Sequence, residues 1–470
     1  MYDNVPATLP REFFYNLSKL QGSMAKNLIK CVADRNTGLK SGNIVNIRLP
    51  IGALLDLRSM ALWFKVKTTG TNPTFPTRYS SSFIKRMSIS INNVVIQTIE
   101  DYALLYNLMA DHTNKDRTKS IGGDWCDNSV FWSEGTSTGS APVAISGADS
   151  MLASTTNLTA QQFKINNFLG FLGSTTTPII PTDRMGECVL SLTLAQEYEV
   201  LGGSAEASAT TYSGNAYELD DFYLTCEALS FSDDSYYNSI GSKDLQYGFS
   251  DYIITKFATT TKTAGINCTT YVSANSIDWI AGTAIVQQTA PSTMLAYGSN
   301  GDGTSANVIN VYKYLSDPVA YVNNNGSSPT SGDGFFGVEA MVRDLQAIET
   351  GQFSINNKQL NYAPLNPYEI FQNNLCALGY EGVDASKNGL IDTCLSIFHY
   401  FKYYGAQFQS LSLIDKDQFN ISGLSSAGSS CSINWAVKFN SSATYDITPV
   451  VIAKLSKVLH VKAGRNISVE

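Results

Sequence analysis

Three carboxylates crowd one short stretch, Glu218, Asp220 and Asp221. Paired carboxylates are what acid–base cleavage of a glycosidic bond requires. Their spacing fits a loop entering a strand equally well, and the separation on which the chemistry depends is not written in the sequence. Asn300-Gly301-Asp302-Gly303 opens like a calcium loop, but no carboxylate closes it at EF-hand spacing, so it reads as a plain turn. Asp415-Lys416-Asp417 reads as a turn at a strand end. The three histidines, His112, His399 and His460, lie far apart, and no G-x-S-x-G elbow supplies a nucleophile beside them. H-E-x-x-H and the phosphate-cradling Walker A loop are both absent. The eight cysteines (Cys31, Cys126, Cys188, Cys226, Cys268, Cys376, Cys394 and Cys431) are scattered without a C-x-x-C pair. They read as small buried hydrophobes in a reducing compartment, not as zinc ligands. The expectation is a protein with no catalytic residues, no metal and no cofactor.

Composition narrows the class further. The chain has 470 residues, of which 43% are apolar and 15% charged. About 25% charged is typical of soluble domains. Ser, Thr, Asn and Gly dominate the remainder, a palette for short strands joined by long uncharged loops. Forty acidic groups against 32 basic ones leave a net charge of -8. Direct nucleic-acid binding needs a basic patch, and none is evident. The nearest run, Lys115-Asp116-Arg117-Thr118-Lys119, carries its own acid and reads as a solvated loop. The opening residues Met1 to Pro6 have neither the basic nor the apolar region of a signal peptide. No apolar run approaches the ~18 residues of a membrane-spanning helix.

What must position these residues is a set of alternating segments. Ile44 to Leu49, Met60 to Val66, Ile84 to Ile91, Val94 to Gln97, Cys188 to Leu194 and Phe222 to Leu229 all repeat with a period of two. That period puts one row of side chains on a core and the other outside. In the second half Tyr252 to Phe257, Ile277 to Ile280, Pro449 to Ala453 and Val458 to Val461 read as strands. Tyr102, Leu105, Tyr106, Leu108 and Met109 fit a short helix. Residues 10–31 also read as helical, because Phe13, Phe14, Leu17, Leu20, Met24, Leu28 and Ile29 recur at three- and four-residue steps. This arm either packs on its own domain or contacts a neighbour. Residues 113–160 and 287–335 break the pattern as long Gly/Ser/Thr-rich loops; the first carries Trp125, Phe131 and Trp132. The absence of regular strand–helix alternation argues against a parallel α/β sheet.

Three echoes run through both halves in the same order. Ser90-Ile91-Asn92-Asn93 returns as Ser354-Ile355-Asn356-Asn357, each followed by a helix candidate, the second spanning Tyr368 to Leu375. Cys188 to Leu192 resembles Cys431 to Trp435, and Tyr217 to Phe222 resembles Tyr445 to Val450. A duplicated β-sandwich follows, with its boundary near residues 232–248.

Leu57-Arg58-Ser59-Met60-Ala61-Leu62, Ser88-Ile89-Ser90-Ile91-Asn92-Asn93 and Asp101-Tyr102-x-x-Leu105-Tyr106 together resemble the first jelly roll of major capsid proteins from polinton-like viruses and virophages. Phe168-Leu169-Gly170-Phe171-Leu172-Gly173, then Ile180-Pro181-Thr182-x-x-Met185-Gly186, is similar to that family's segment before a late strand. Val458 to Arg465 resembles its closing strand. The resemblance implies an all-β chain: two consecutive eight-stranded jelly-roll β-sandwiches with short helices and long loop insertions. The expected division is an N-terminal arm at 1–40, a first jelly roll at 41–235 and a second at 236–470. It also implies a structural virion protein of a tailless icosahedral DNA virus, assembled inside the host cell. Its copies would form pseudo-hexagonal homotrimers, with the two long loops as outward towers. Partners would then be neighbouring capsomers, penton and minor capsid proteins and, beneath the shell, an internal membrane. Trp125, Phe131 and Trp132 are candidate trimer or tower contacts, with a mini-core inside the loop as the alternative; Phe13, Phe14 and Leu17 are candidate arm contacts. A β-sandwich adhesin or carbohydrate-binding module, and a minor capsid or spike protein, are the competing readings.

Overall fold

The computed structural model describes residues 24–69, 73–74, 80–113, 161–200, 202–203, 216–231, 244–261, 265–286, 296–297, 307–308, 348–378, 406–412, 423–426, 431–439, 446–462 and 465–470. In the first half eight main strands follow one another: β1 (Met24–Val32), β2 (Ile44–Arg48), β3 (Leu54–Thr69), β4 (Ile84–Ile91), β5 (Val94–Ile99), β6 (Gln161–Ile165), β7 (Cys188–Leu194) and β8 (Ala216–Phe231). They form two antiparallel sheets, ordered β1-β8-β3-β6 and β2-β7-β4-β5. The second half has β9 (Leu245–Lys256), β10 (Ile266–Val272), β11 (Ile277–Val286), β12 (Ile348–Ile355), β13 (Lys358–Gln359), β14 (Ala406–Ser410), β15 (Cys431–Phe439) and β16 (Asp446–Lys462), with β17 (Asn466–Val469) added on β16. Its sheets are β9-β16-β11-β14 and β10-β15-β12-β13. Raising every label of the first order by eight yields the second. Each half is therefore an eight-stranded jelly-roll sandwich, and the chain is all-β with a few short helices, as the sequence reading expected.

The three sequence echoes fall on equivalent elements. Asn92 and Asn93 turn the β4–β5 hairpin with φ of 50° and 63°; Asn356 and Asn357 turn β12–β13 with 49° and 63°. Two successive positive φ values make the mirror-image turn that matches strand twist, and Asn tolerates that region better than most side chains. Helices α1 (Tyr102–Thr113) and α2 (Pro367–Ala377) follow these hairpins. Asn366 caps α2: its side-chain oxygen accepts from the amides of Tyr368 (3.0 Å) and Glu369 (3.1 Å), while Glu369 accepts from the Asn366 amide at 2.9 Å. The Cys188 and Cys431 segments open β7 and β15, and the third echo opens β8 and runs into β16.

One expectation is corrected. Residues 24–31, read as the end of a helical arm, lie in strand β1, paired with β8 from Met24↔Phe231 to Val32↔Tyr223. Met24, Leu28 and Ile29 have helical spacing, but hydrogen bonding along a 16-residue neighbour outweighs that weak local preference. Residues 10–23 lie outside the described residues.

The first core centres on aromatic rings: Phe64 packs with Phe83, Phe163 and Phe222, and Phe83 meets Tyr217 edge-on at 5.1 Å. The second centres on Trp435, stacked on Phe353 and donating its indole N–H to Gln407 Oε1 at 2.9 Å. A Cβ on Gly282 of β11 would stand 2.3 Å from the Trp435 ring, so glycine leaves the indole its space. Burial then separates the two halves. β7 and β15 alternate buried and half-buried residues, as sheets with one packed face do. In β16 Val450, Val451, Ile452 and Ala453 are all buried. Val451 and Ala453 join the second core; Val450 and Ile452 join the cluster that continues into the first sandwich. The β9–β16 sheet is thus buried on both faces, one of them against the first half.

Gln97 of β5 closes that junction. Its amide nitrogen donates to Ser250 O (2.9 Å) and Asp251 Oδ1 (2.7 Å), and its oxygen accepts from the Phe171 amide at 2.6 Å. Asp251 also pairs with Lys457 at 2.6 Å. Beside it Phe171 meets Phe249 edge-on at 5.4 Å. Gln97→Ala leaves buried polar groups without partners at this junction, at a cost on the order of 3 kcal/mol. Urea unfolding should show that loss, and an unchanged midpoint would mean that water or repacking replaces the amide.

Candidate functional site

The residues that sequence chemistry singled out do not assemble into a reactive centre among the described residues. Asp220 and Asp221 sit on the outward side of β8 at a bulge, where Asp221 has φ of 50°. Asp221 pairs with Lys65 at 2.6 Å; Asp220 pairs with Lys67 and accepts from the Gly38 amide at 2.8 Å. The Lys67 hydrogen bond, then the Gly38 amide, hold the Asp220 carboxyl below the usual carboxylate range. A glycosidase acid needs the opposite shift. His460 meets Glu470 at 3.2 Å on the surface. Among the described residues no group of three or more His, Cys, Asp and Glu could hold a metal ion. Cys31, Cys188, Cys226, Cys268 and Cys431 are free and buried. Burial pushes the Cys188 thiol up to about 12 and Cys268 up to about 11, the behaviour of packing residues and not of nucleophiles. Among the described residues no helix is long and apolar enough to cross a membrane.

Trp125, Phe131, Trp132, Phe13, Phe14 and Leu17 lie outside the described residues, as do His399, residues 298–303, 114–160 and 413–417.

The surfaces are the functional features that remain, and the two sheets of the first sandwich present different ones. The outward face of β1-β8-β3-β6 is charged and aromatic. Lys26 pairs with Glu227 at 3.0 Å, Lys30 stands 3.8 Å from the Tyr223 ring centroid, and Trp63 Nε1 donates to Thr225 Oγ1 at 3.0 Å. The outward face of β2-β7-β4-β5 mixes short polar side chains with two ion pairs: Ser191 donates to Asn46 at 2.6 Å and Ser88 meets Thr98 at 3.1 Å, while Arg48 pairs with Glu187 at 2.6 Å and Arg86 with Glu100 at 2.9 Å. Exposed apolar side chains lie on both of these sheets and in the second sandwich. Leu28 and Val32 lie on β1, Ile44 begins β2, and Leu360, Tyr362 and Tyr368 follow β13. The sequence reading missed this last group because exposure is not a local property. Its one local signal was three large side chains within a stretch of Asn, Pro and Gln.

A charge triad locks the junction beside Gln97. Asp101, at the start of α1 with φ of 49°, lies 3.0 Å from Lys85 of β4 and 2.7 Å from Lys256 of β9. Burial alone would raise its pKa, but the two ammonium groups outweigh burial and hold the carboxyl below the usual carboxylate range.

No family model and no curated protein matches the sequence. Solved structures do. PBCV-1 VP54, as fitted into a cryo-EM reconstruction of the virophage Sputnik, superposes with a TM-score of 0.60 at 12% identity, over 97% of this chain and 99% of that one. The cryo-EM structure of the Sputnik virophage gives 0.55 at 11% identity, over 99% and 93%. The mavirus major capsid protein gives 0.51 at 8%, over 98% and 93%.

Because its folded pKa is depressed, Asp101 contributes stability that is present in full above the unfolded value of about 3.9 and is lost as pH falls through the folded value. Melting midpoints should drop on acidification below about pH 4. Asp101→Asn should melt lower at neutral pH and decline less steeply in acid; an equally steep decline would remove Asp101 from this role. From strand order to length, the chain carries the double jelly-roll fold found in these viral capsid proteins.

Proposed function

We propose that this chain is a major capsid protein, a structural component of a virion whose copies form pseudo-hexagonal trimers that tile an icosahedral shell. The observation that carries this reading is the duplicated sandwich, shared end to end with the neighbouring capsid proteins over 97% and 99% of the two chains in the best-overlapping case named above. Two similar lobes per chain let three chains present six similar sides, which is what hexagonal tiling of a shell demands. We divide the chain into two jelly rolls that separate near residue 235. β1 is counted with the first jelly roll, and the arm precedes it. Residues 113–160 and 287–335 are taken as the outward loops, with Trp125, Phe131 and Trp132 in trimer or tower contacts. The arm residues Phe13, Phe14 and Leu17 would reach a neighbour or an underlying layer.

The partners in this reading are neighbouring capsomers, penton and minor capsid proteins, and an internal membrane where one lines the shell. Direct contact with the genome is not part of it, given a net charge of -8. The location is the virion capsid, after assembly inside the host cell; the buried free thiols at five described cysteines suit a reducing interior. The role is structural and not enzymatic, and the ion-paired state of Asp220 and Asp221 agrees with it.

Light scattering on the purified chain, with negative-stain images of the same peak, tests the proposal. The expected result is a stable trimer with a hexagonal outline. A chain that stays monomeric at high concentration would overturn the reading and favour a binding module.

A further inference from the structure

The first core holds two cysteines on one inward face of neighbouring strands. Cys31 of β1 lies opposite Leu224 of β8, and Cys226 of β8 lies opposite Ile29 of β1. Alternation along a strand turns Ile29 and Cys31 to the same side, as it turns Leu224 and Cys226. Cys31 is 7% exposed and Cys226 0%, and both belong to the same cluster. They are therefore diagonal neighbours, and their thiols are close enough for Cys226 to donate its S–H to the Cys31 sulfur. Among the described residues Cys268 and Cys431 also occupy paired strands, but Cys431 lies opposite Val272, four residues along from Cys268.

Diagonal neighbours stand roughly 7–8 Å apart, whereas a disulfide spans Cα separations up to about 6.8 Å. Closing a bond here needs β1 to draw toward β8 by about an ångström. β1 can make that move: it ends its sheet, hydrogen-bonded along one side to β8, and its outward residues Leu28 and Val32 are exposed. The chemistry also has a starting point. The hydrogen bond from Cys226 holds the Cys31 thiol below the ordinary thiol value, against the contrary effect of burial.

We propose that Cys31 and Cys226 form a redox-controlled disulfide that ties β1 to β8 once the chain meets a small-molecule disulfide such as oxidised glutathione. The Cys31 thiol gives up its proton, and its sulfur attacks one sulfur of the small disulfide. A mixed disulfide forms, and the other half leaves as a thiolate that takes up the proton. Cys226 then loses its proton and attacks the Cys31 sulfur, and the second half leaves as a thiol. Two protein thiols are oxidised, and one small disulfide is reduced to two thiols. The bond closes a loop from residue 31 to residue 226 and so restricts the unfolded chain. The inference goes beyond the shell reading and does not need it. Under that reading, the chain folds reduced inside the cell and is locked on reaching an oxidising exterior.

The test uses the purified full chain, incubated with oxidised glutathione and mapped by mass spectrometry of its peptides. The expected result is a Cys31–Cys226 linked peptide that dithiothreitol removes. The oxidised chain should melt higher than the reduced one by roughly 5 °C. Cys226→Ala and Cys226→Ser should each abolish both the linkage and the difference in midpoint; two substitutions are used in case one fails to fold. Cys188→Ala, which removes a buried thiol elsewhere in the same cluster, should retain both. Cys31 found only reduced, held as a stable glutathione adduct or linked to a different cysteine would overturn the proposal. A linked peptide with an unchanged midpoint would overturn the locking of β1. The readout is independent of oligomeric state, so a monomeric chain that forms the bond upholds this inference while overturning the shell reading.

Discussion

Double-sided burial of the β9-β16-β11-β14 sheet is the constraint on which the rest of this molecule depends. A sheet with apolar residues on both faces has no stable existence in water until both are covered. The second sandwich's own partner sheet covers one face. The other, with Val450, Ile452, Tyr252 and Trp279, packs into the cluster that belongs to the first sandwich. The halves are therefore not beads on a string. The first completes the core of the second, and Gln97 and Asp101 satisfy the polar groups that this contact takes out of water.

The first sandwich bears no such demand. Its equivalent strand β8 alternates, with Tyr217, Leu219, Phe222 and Leu224 inward and Glu218, Asp220, Tyr223 and Thr225 outward. The outward ion pairs are largely solvated and add little stability each. What they supply is solubility for a face whose ion-paired side chains stay partly exposed. Duplication thus produced two copies of one topology with different surface chemistry, and the difference lies in the outward rows of the matching sheets.

This asymmetry also bears on function. An enzyme concentrates perturbed acids, bases and nucleophiles in a cleft. Here the groups whose titration burial shifts most are packing thiols and the buried Tyr252 phenol, and the Asp101 carboxylate is held between two lysines at the junction. The polar chemistry of the described residues serves shape: turns, a helix cap, a junction and two kinds of face. That distribution is in keeping with the proposed role in a shell.

Much of this was legible in the amino-acid order. Period-two alternation marked β2, β4, β7 and most of β8, because a one-sided sheet imposes that period on its own residues. The repeated Ser-Ile-Asn-Asn announced the duplication, because a mirror-image hairpin turn restricts the residues at its two central positions. The run Val450 to Ala453 even carried the sign of a two-faced sheet, since continuous apolar residues have nowhere outward to point. Other features waited for the tertiary structure. Residues 24–31 have helical spacing and became a strand because β8 offered a long edge to pair with. Ile96 and Leu360 occupy matching positions after matching turns, yet one is buried and the other exposed. Nothing local separates those two residues. Whether a side chain is covered depends on which distant surface lies against it, and that is decided only when the two sandwiches meet.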